Sequence, residues 1–270
     1  MKQKIIKKVL LCKPLYFSSL NYSINPWMKP GTIDNDKAMK QWQSLVDVYK
    51  SLNITVQIID QERGVPDMVF ATDQAISVGD KTLISRFWKK ERREETKHYV
   101  KWFRNNKYQL IYLPDNVYFE GNGNAYRWND ILFIGIGYRA NKKTCEALNK
   151  IFACKVIPLE TIDPLFYHLD VGFFPLNDDT AFFYPKAFSA KSIKILKEKI
   201  PNLIPLSKKE AFGFCANSIV TGNNVIHQKG NPTFAKKLND LGYKTIEVDL
   251  SEFKKSGGGA HCLTNILEYK

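Results

Sequence analysis

The sequence predicts an α/β fold in which five strand–strand–helix–strand units are arranged around an axis as a five-bladed, pseudo-symmetric propeller. Three observations lead to this prediction. Helical and strand-like stretches alternate along the chain. The helix starts recur about every 45–55 residues, a period typical of repeated supersecondary units. Each helix is followed by a run rich in β-branched residues. A doubly wound parallel sheet is the main alternative, but no G-x-G-x-x-G fingerprint follows a strand.

The elements follow in order from residue spacing. Helical spacing of apolar residues predicts helices over 36–52, 91–106, 141–152, 188–199 and 232–241. Asn141 is the predicted N-cap of the third helix. Short apolar or alternating runs predict strands over 5–12, 54–60, 67–72, 74–79, 82–87, 108–113, 131–137, 154–159, 180–185, 218–222, 224–228 and 244–250.

Length and cysteine usage limit the class of protein. The 270 residues contain no Gly/Ser-rich linker, so we expect one domain over residues 1–270. No run of eighteen apolar residues occurs, and the apolar stretch near the start is too short for a secretory signal. The five cysteines form no CxxC pair, which indicates reduced thiols and a cytoplasmic protein without a membrane partner.

The net charge of +13 raises the question of nucleic-acid binding. The basic residues are scattered, however, and the mixed run over 89–95 is typical of a solvated helix surface. No zinc module, RNP motif or basic heptad region is present, so no nucleic-acid partner is expected. The four histidines show no metal-ligand spacing with the cysteines, and neither a metal nor an organic cofactor is implied.

The segment SGGGAHCLTN over 256–265 is the most informative part of the chain. Three consecutive glycines weaken a strand, so they indicate close backbone approach or positive φ. They lead directly to Cys262. Taken alone, the segment favours a turn before a buried strand cysteine.

Three further segments contain acidic residues: one near a histidine, one before glycines and one between runs with little charge. His168 and Asp170 are two residues apart in a strand-like run, which predicts that both side chains lie on one face. Such a carboxylate can hold a cation or raise the imidazole pKa. Glu120 precedes Gly-Asn-Gly-Asn, a pattern also typical of a hairpin turn. Asp73 lies between two runs with little charge and needs a partner if it is buried.

The order of these motifs resembles the guanidino-group-modifying, or pentein, superfamily, and most closely its dimethylargininase-like and arginine dihydrolase-type members. The resemblance extends from near residue 8 to the C-terminus. It rests on NPWM (25–28), PDMVFATD (66–73), FEGNGN (119–124), GYR (137–139), FYHLD (166–170) and SGGGAHCLT (256–264). The family fold is a five-bladed α/β propeller, in agreement with the five units inferred from helix spacing.

The resemblance also implies roles for individual residues. Cys262 matches the nucleophile, His168 the general acid/base, and Glu120 the acid that supports the histidine or the bound guanidinium. Asp170 matches the carboxylate that holds guanidinium nitrogens, and Arg139 an arginine that can pair with a substrate carboxylate. Asn25 lies in a motif that lines the pocket in the nearest branch.

Two positions depart from the family pattern. Asn124 stands where the motif FEGxGD has its aspartate, and Asp73 stands where FTANA has its asparagine. An amide cannot supply the negative charge that a guanidinium prefers. We therefore expect that Asp73 and Asn124 both face the pocket and together set substrate choice.

These residues predict a hydrolase that cleaves C–N bonds of arginine, an arginine derivative or another small cationic guanidine or amidine. A thiolate attacks the central carbon, an imidazole protonates the departing nitrogen, and water resolves a thiouronium intermediate. An amidinotransferase and a catalytically weakened protein that binds a cationic ligand remain alternatives. The sequence leaves open whether the chain forms a homodimer.

Overall fold

The computed structural model describes residues 4–78 and 81–270, and for Val78 it describes the backbone alone. One arrangement recurs five times in it: an antiparallel strand pair, then a helix, then a third strand that pairs in parallel with the second. This is the strand–strand–helix–strand unit that the sequence predicts. The fifth unit takes its first strand from the end of the chain and its other strands from the beginning.

The strands are numbered in chain order. They are β1 Ile6–Lys13, β2 Thr55–Asp60, β3 Ala75–Val78, β4 Lys81–Ile84, β5 Gln109–Tyr112, β6 Ala125–Trp128, β7 Ile131–Ile136, β8 Lys155–Glu160, β9 Phe173–Pro175, β10 Thr180–Phe183, β11 Asn202–Pro205, β12 Ile219–Thr221, β13 Asn224–Gln228, β14 Lys244–Val248 and β15 Asn265–Tyr269.

The helices include the five that the sequence predicts and three short ones that it does not. They are α1 Asn35–Ser51, α2 Glu95–Asn105, α3 Lys142–Phe152, α4 Leu169–Gly172, α5 Ala190–Lys199, α6 Lys208–Phe212, α7 Pro232–Asp240 and α8 Ser251–Lys254. The predicted N-cap of α3 is confirmed, because the Asn141 side chain accepts from the N–H of Lys143 within a capping box. No helix among the described residues has both the length and the apolar character needed to cross a membrane.

The chain forms two compact units. The first contains the described residues up to Ala71 together with Leu206–Lys270. It holds the sheets β15-β1-β2 and β12-β13-β14. In the first sheet β1 pairs antiparallel with β15, with Leu10 opposite Asn265. The core of this unit includes Trp42, Phe70 and Leu263, all buried.

The second unit spans Thr72–Pro205 and holds three sheets, β3-β4-β5, β6-β7-β8 and β9-β10-β11. A core cluster of this unit contains Leu83, Phe119 and Leu148. These are residues of a strand, of the segment before a glycine-rich turn, and of a helix. The glycine-rich turn that follows Phe119 is therefore attached directly to the apolar core of this unit.

The fold is the five-bladed pseudo-symmetric α/β propeller that the sequence predicts, with one three-stranded sheet in each blade. Most predicted strands are present to within a few residues, and the last residue of the predicted strand 74–79 lies outside the described residues. The strand predicted over 67–72 is wrong. Its residues form 3₁₀ turns at Pro66–Val69 and Ala71–Gln74, because the proline begins a turn and the acidic side chains are held there.

Candidate active site

Cys262 lies in the turn before β15 and is 2% exposed. Two of the three glycines before it are required by their conformation or surroundings, as the sequence predicts. Gly257 has a φ of +89°, which favours glycine. A Cβ on Gly258 would lie 2.2 Å from the ring of Phe70, so only glycine permits this approach. The buried turn therefore presents the cysteine from a loop, and a strand position for it is wrong.

Asn217 holds this turn and its thiol. Its Oδ1 accepts from the N–H of Gly259 at 3.0 Å and from the N–H of Cys262 at 3.1 Å. Its Nδ2 donates to Sγ of Cys262 at 3.0 Å. We call Cys262, Asn217 and the glycines 257–259 the thiol centre. Sequence reasoning missed Asn217, because a single asparagine in ANS carries no motif of its own.

Asn25 is attached to the chain that leads into the thiol centre. Its Nδ2 donates to the carbonyl of Ser256 at 3.1 Å, and its Oδ1 accepts from the N–H of Trp27 at 2.9 Å. The hydroxyl of Ser256 donates to Asp67, which also accepts from the hydroxyl of Tyr22. The PDM motif and the NPWM motif thus meet the glycine turn through hydrogen bonds between polar groups.

His168 is in the second unit and precedes α4. Its backbone is extended and it occupies the N-cap of the short helix that contains Asp170. The prediction that both residues belong to one strand is therefore wrong, because the chain turns immediately after the histidine. Both side chains are fully buried.

Glu120 is the main partner of His168. Nε2 of His168 and Oε2 of Glu120 are 2.7 Å apart. The guanidinium of Arg139 lies 3.2 Å from the same oxygen and stacks on the ring of Tyr167. Burial by itself raises the pKa of Glu120, but Arg139 and His168 outweigh it and lower the pKa to about 2. Glu120 is therefore an anion that can orient the imidazole.

Asp73 lies on the other side of the imidazole ring, with Oδ1 3.5 Å from Nδ1 of His168. Its Oδ2 accepts from Nη1 of Arg92 at 2.6 Å, so the partner that the sequence requires is present. A Cβ on Gly123 would lie 2.1 Å from Oδ1 of Asp73. A glycine at this place in FEGNGN therefore leaves room for the carboxylate. Burial raises the pKa of Asp73, against the opposing charges of His168 and Arg92.

Arg92 is fixed from a second side by Glu95. Its Nε and Nη2 donate to the two carboxylate oxygens of Glu95, both at 2.9 Å. Gln74 donates to Glu95 at 2.6 Å. The sequence placed Arg92 and Glu95 on a solvated helix surface, and this is wrong, because they are 3% and 0% exposed. No local pattern distinguishes them from their exposed neighbours.

Asn124 is buried and its amide is engaged with the backbone. Nδ2 donates to the carbonyl of Gly135 at 2.7 Å. An aspartate in the same conformation would direct a carboxylate oxygen at that carbonyl. The amide of Asn124 therefore has a structural role, in addition to any effect that it has on substrate choice.

We call Asp73, Arg92, Glu95, Glu120, Arg139, His168 and Asp170 the carboxylate cluster. Asp170 belongs to it because its charge acts on Asp73. Four buried carboxyl groups in this cluster accompany two buried guanidinium groups. With every carboxyl ionised, the cluster holds two more negative than positive charges. The structure thus brings together the predicted residues His168, Glu120, Arg139, Asp73 and Asp170, while Cys262 and Asn25 belong to the first unit.

This fold, with a buried histidine between carboxylates and a glycine-held cysteine, defines the class of enzymes that modify guanidino groups. The chain matches the family model described as N,N dimethylarginine dimethylhydrolase, eukaryotic, over residues 17–268. The chain therefore belongs to the dimethylarginine dimethylaminohydrolase family.

Several relatives are similar over nearly the whole chain. An uncharacterized protein of Caenorhabditis elegans is 36% identical, over 96% of this chain and 93% of its own length. The N(G),N(G)-dimethylarginine dimethylaminohydrolase of Mycobacterium tuberculosis is 31% identical, over 93% and 83%. The bifunctional arginine dihydrolase/ornithine cyclodeaminase AgrE of a Nostoc strain is 34% identical over 95% of this chain, but the match spans only 37% of AgrE.

Solved structures give the same result. The N-terminal domain of ArgZ, covalently bound to a reaction intermediate, has a TM-score of 0.91 and 32% identity, covering 95% of this chain and 96% of that chain. A mutant of AgrE with L-arginine has a TM-score of 0.91 and 31% identity, covering 98% of this chain and 39% of that one. The predicted enzyme class, an amidine hydrolase that cleaves guanidino C–N bonds, is confirmed.

Proposed function

We propose that the protein hydrolyses the terminal guanidino C–N bond of arginine or of an Nω-methylated arginine, with Cys262 as nucleophile and His168 as general acid and base. The observation that carries the substrate class is that four buried carboxyl groups of the carboxylate cluster accompany only two buried guanidinium groups. Buried charges need partners of opposite sign. A protonated imidazole and a cationic guanidinium would supply the two that the cluster lacks.

The proposed reaction begins when the Cys262 thiolate attacks the central guanidinium carbon. The electron pair of one C–N bond then returns to nitrogen, which takes a proton from the His168 imidazolium and leaves as ammonia or an amine. The carbon remains bonded to sulfur as a thiouronium cation. Water, deprotonated by His168, attacks this carbon, the C–S bond breaks, and a neutral ureido product is released. These steps use side chains and water alone.

The other residues are proposed to hold the substrate. Asp73 and Asp170 would accept hydrogen bonds from guanidinium nitrogens, since charge-assisted bonds to a planar cation are strong and directional. Arg139 would pair with a substrate carboxylate, and Asn25 would line the pocket. Glu120 would keep His168 oriented through the contact between its Oε2 and Nε2 of the imidazole.

The proposal also covers the domain organisation, the cellular location and the assembly of the protein. We propose a single catalytic domain over residues 1–270 and a cytoplasmic location, because the odd set of free cysteines suits a reducing compartment. A homodimer is proposed as the assembly to test by light scattering. The two activities that relatives carry in their names, arginine dihydrolase and dimethylarginine dimethylaminohydrolase, are the specific candidates.

The test is a product assay on the purified chain with arginine, monomethylarginine, asymmetric dimethylarginine and agmatine. Ammonia, methylamine, dimethylamine, citrulline and ornithine are quantified together. Release of dimethylamine with citrulline would assign the dimethylarginine activity, and release of ammonia with citrulline or ornithine the arginine activity. Transfer of the amidino group to an added amine would instead indicate an amidinotransferase. Substrate-dependent thermal stabilisation without any released nitrogen would contradict the proposal and favour a binding protein.

A further inference from the structure

Asn217 is a fully enclosed polar side chain that the proposed chemistry does not use. It lies between α6 and β12 and is 1% exposed. Its side chain reaches 45 residues along the chain to Cys262. An amide in such a place must form hydrogen bonds, so the groups it contacts reveal its role.

The contacts determine which end of the amide faces the sulfur. Two backbone N–H groups, those of Gly259 and Cys262, point at one atom of the side chain, which must therefore be the carbonyl oxygen. The remaining atom, 3.0 Å from Sγ of Cys262, is consequently the NH₂ donor. The orientation follows from the surrounding backbone and needs no assumption about the thiol.

We propose that Asn217 is a positioning residue for Cys262: it fixes the rotamer of the thiol and donates a hydrogen bond that favours the thiolate. This rests on the proposed role of Cys262 as nucleophile. A donor to sulfur stabilises the anion more than the neutral thiol, so it lowers the thiol pKa and raises the fraction ready to attack.

Two substitutions of Asn217 together separate this role from a merely structural one: aspartate, which removes the donor and adds a negative charge, and serine, which removes the donor without adding a charge. Asn217→Asp has the same shape and keeps an oxygen for the two backbone N–H groups. It replaces the donor by an oxygen that repels a thiolate. Because the added negative charge by itself opposes a thiolate, Asn217→Asp is measured together with Asn217→Ser, in which only the loss of the donor can raise the thiol pKa.

The experiment measures alkylation of Cys262 by iodoacetamide between about pH 6 and 10 and follows the Cys262 peptide by mass spectrometry. In Asn217→Asp we expect the thiol pKa to rise by about one unit or more, and kcat to fall about ten- to a hundredfold with KM changed less than about threefold. No substrate is needed for the alkylation arm, so its failure is distinguishable from failure of the proposed activity.

Asn231→Asp is the matched control. Asn231 is another buried asparagine of the first unit, and its Nδ2 donates to the carbonyls of Gly213 and Gln228. This variant should lose stability yet keep the wild-type thiol pKa. If Asn217→Asp does not fold, Asn217→Ser, which cannot reach the sulfur, should raise the thiol pKa in the same way. An unchanged thiol pKa in the folded Asn217 variant, with or without a loss of kcat, would overturn the proposal.

Discussion

The thiol centre and the carboxylate cluster hold their key side chains by different physical means. Cys262 is held by an amide, backbone N–H groups and close glycine packing. His168 is held by the carboxylates of Asp73 and Glu120, which are themselves paired with buried arginines. The first arrangement fixes geometry, and the second sets charge. Substitutions in the two regions should therefore differ in how their effects depend on pH.

The largest effect is expected in the thiol centre. Cys262→Ala should reduce turnover on the order of 10⁴-fold or more, because the covalent step loses its nucleophile. Nitrogen release at saturating substrate measures it. Cys215→Ala is the control: this cysteine of the same unit is buried and its thiol pKa is raised, so turnover should persist. Full activity in Cys262→Ala would show that the thiol centre has no role in catalysis.

The next effect concerns the imidazole. His168→Gln should lower kcat about 10²–10⁴-fold, the usual contribution of a general acid and base. It should also flatten the pH dependence of kcat, because the proposed general acid and base is gone. His227→Gln serves as control, since His227 is an equally buried histidine that contacts the backbone of Gln228. A rate within a few-fold of wild type would show that His168 has a structural role alone.

A smaller effect is expected for substrate affinity. Asp73→Asn should weaken guanidine binding about ten- to a hundredfold, the cost of one charge-assisted hydrogen bond. The pKa of Asp73 is raised in the folded protein, so its ionised form opposes folding as pH rises above its ordinary value of 3.8. The variant should thus be at least as stable as wild type at pH 7, and this advantage should vanish in acid.

Scanning calorimetry measures the stability of Asp73→Asn, and titration calorimetry measures its affinity for the guanidine. Unchanged affinity together with an unchanged rate would mean that Asp73 serves structure alone. The negative charge that is lost because Asn124 stands in place of the family's aspartate would then not be replaced by Asp73.

The last effect concerns stability in acid. The pKa of Glu120 falls from 4.5 to about 2 on folding, so its stabilising charge is fully present above 4.5 and is lost as pH falls through 2. The stability lead of wild type over Glu120→Gln should narrow by up to about 1.4 kcal/mol per pH unit across that window. Denaturant unfolding at several pH values measures it. Glu146→Gln, at an exposed glutamate, should leave the acid transition unchanged. A stability difference between wild type and Glu120→Gln that stays constant with pH would refute the pairing of Glu120 with Arg139 and His168.

The local spacing of apolar residues predicts most elements of the fold. The five long helices have clear apolar spacing, and their regular recurrence indicated five blades. The short strands β6, β11 and β15 were missed, because four or five residues show too little alternation. His168 was placed in a strand because the run FYHLDVGFFPL is apolar, although the chain turns at α4.

The candidate site could be predicted only where motifs exist. Cys262, His168 and Glu120 stand in recognisable segments. Arg92, Glu95 and Asn217 do not, since their burial depends on tertiary packing that brings distant residues against them. A charged run of ordinary composition gives no sign that one arginine and one glutamate in it form an enclosed pair.

The most direct test of the central claim is a rapid acid quench during turnover, followed by mass spectrometry of the peptide that contains Cys262. With arginine or dimethylarginine as substrate, we expect this peptide to gain the mass of the substrate less that of the departing ammonia or amine. The other cysteine peptides should remain unmodified, and His168→Gln should change the amount of adduct rather than its position. Turnover with no adduct on Cys262, or with an adduct on another cysteine, would contradict it.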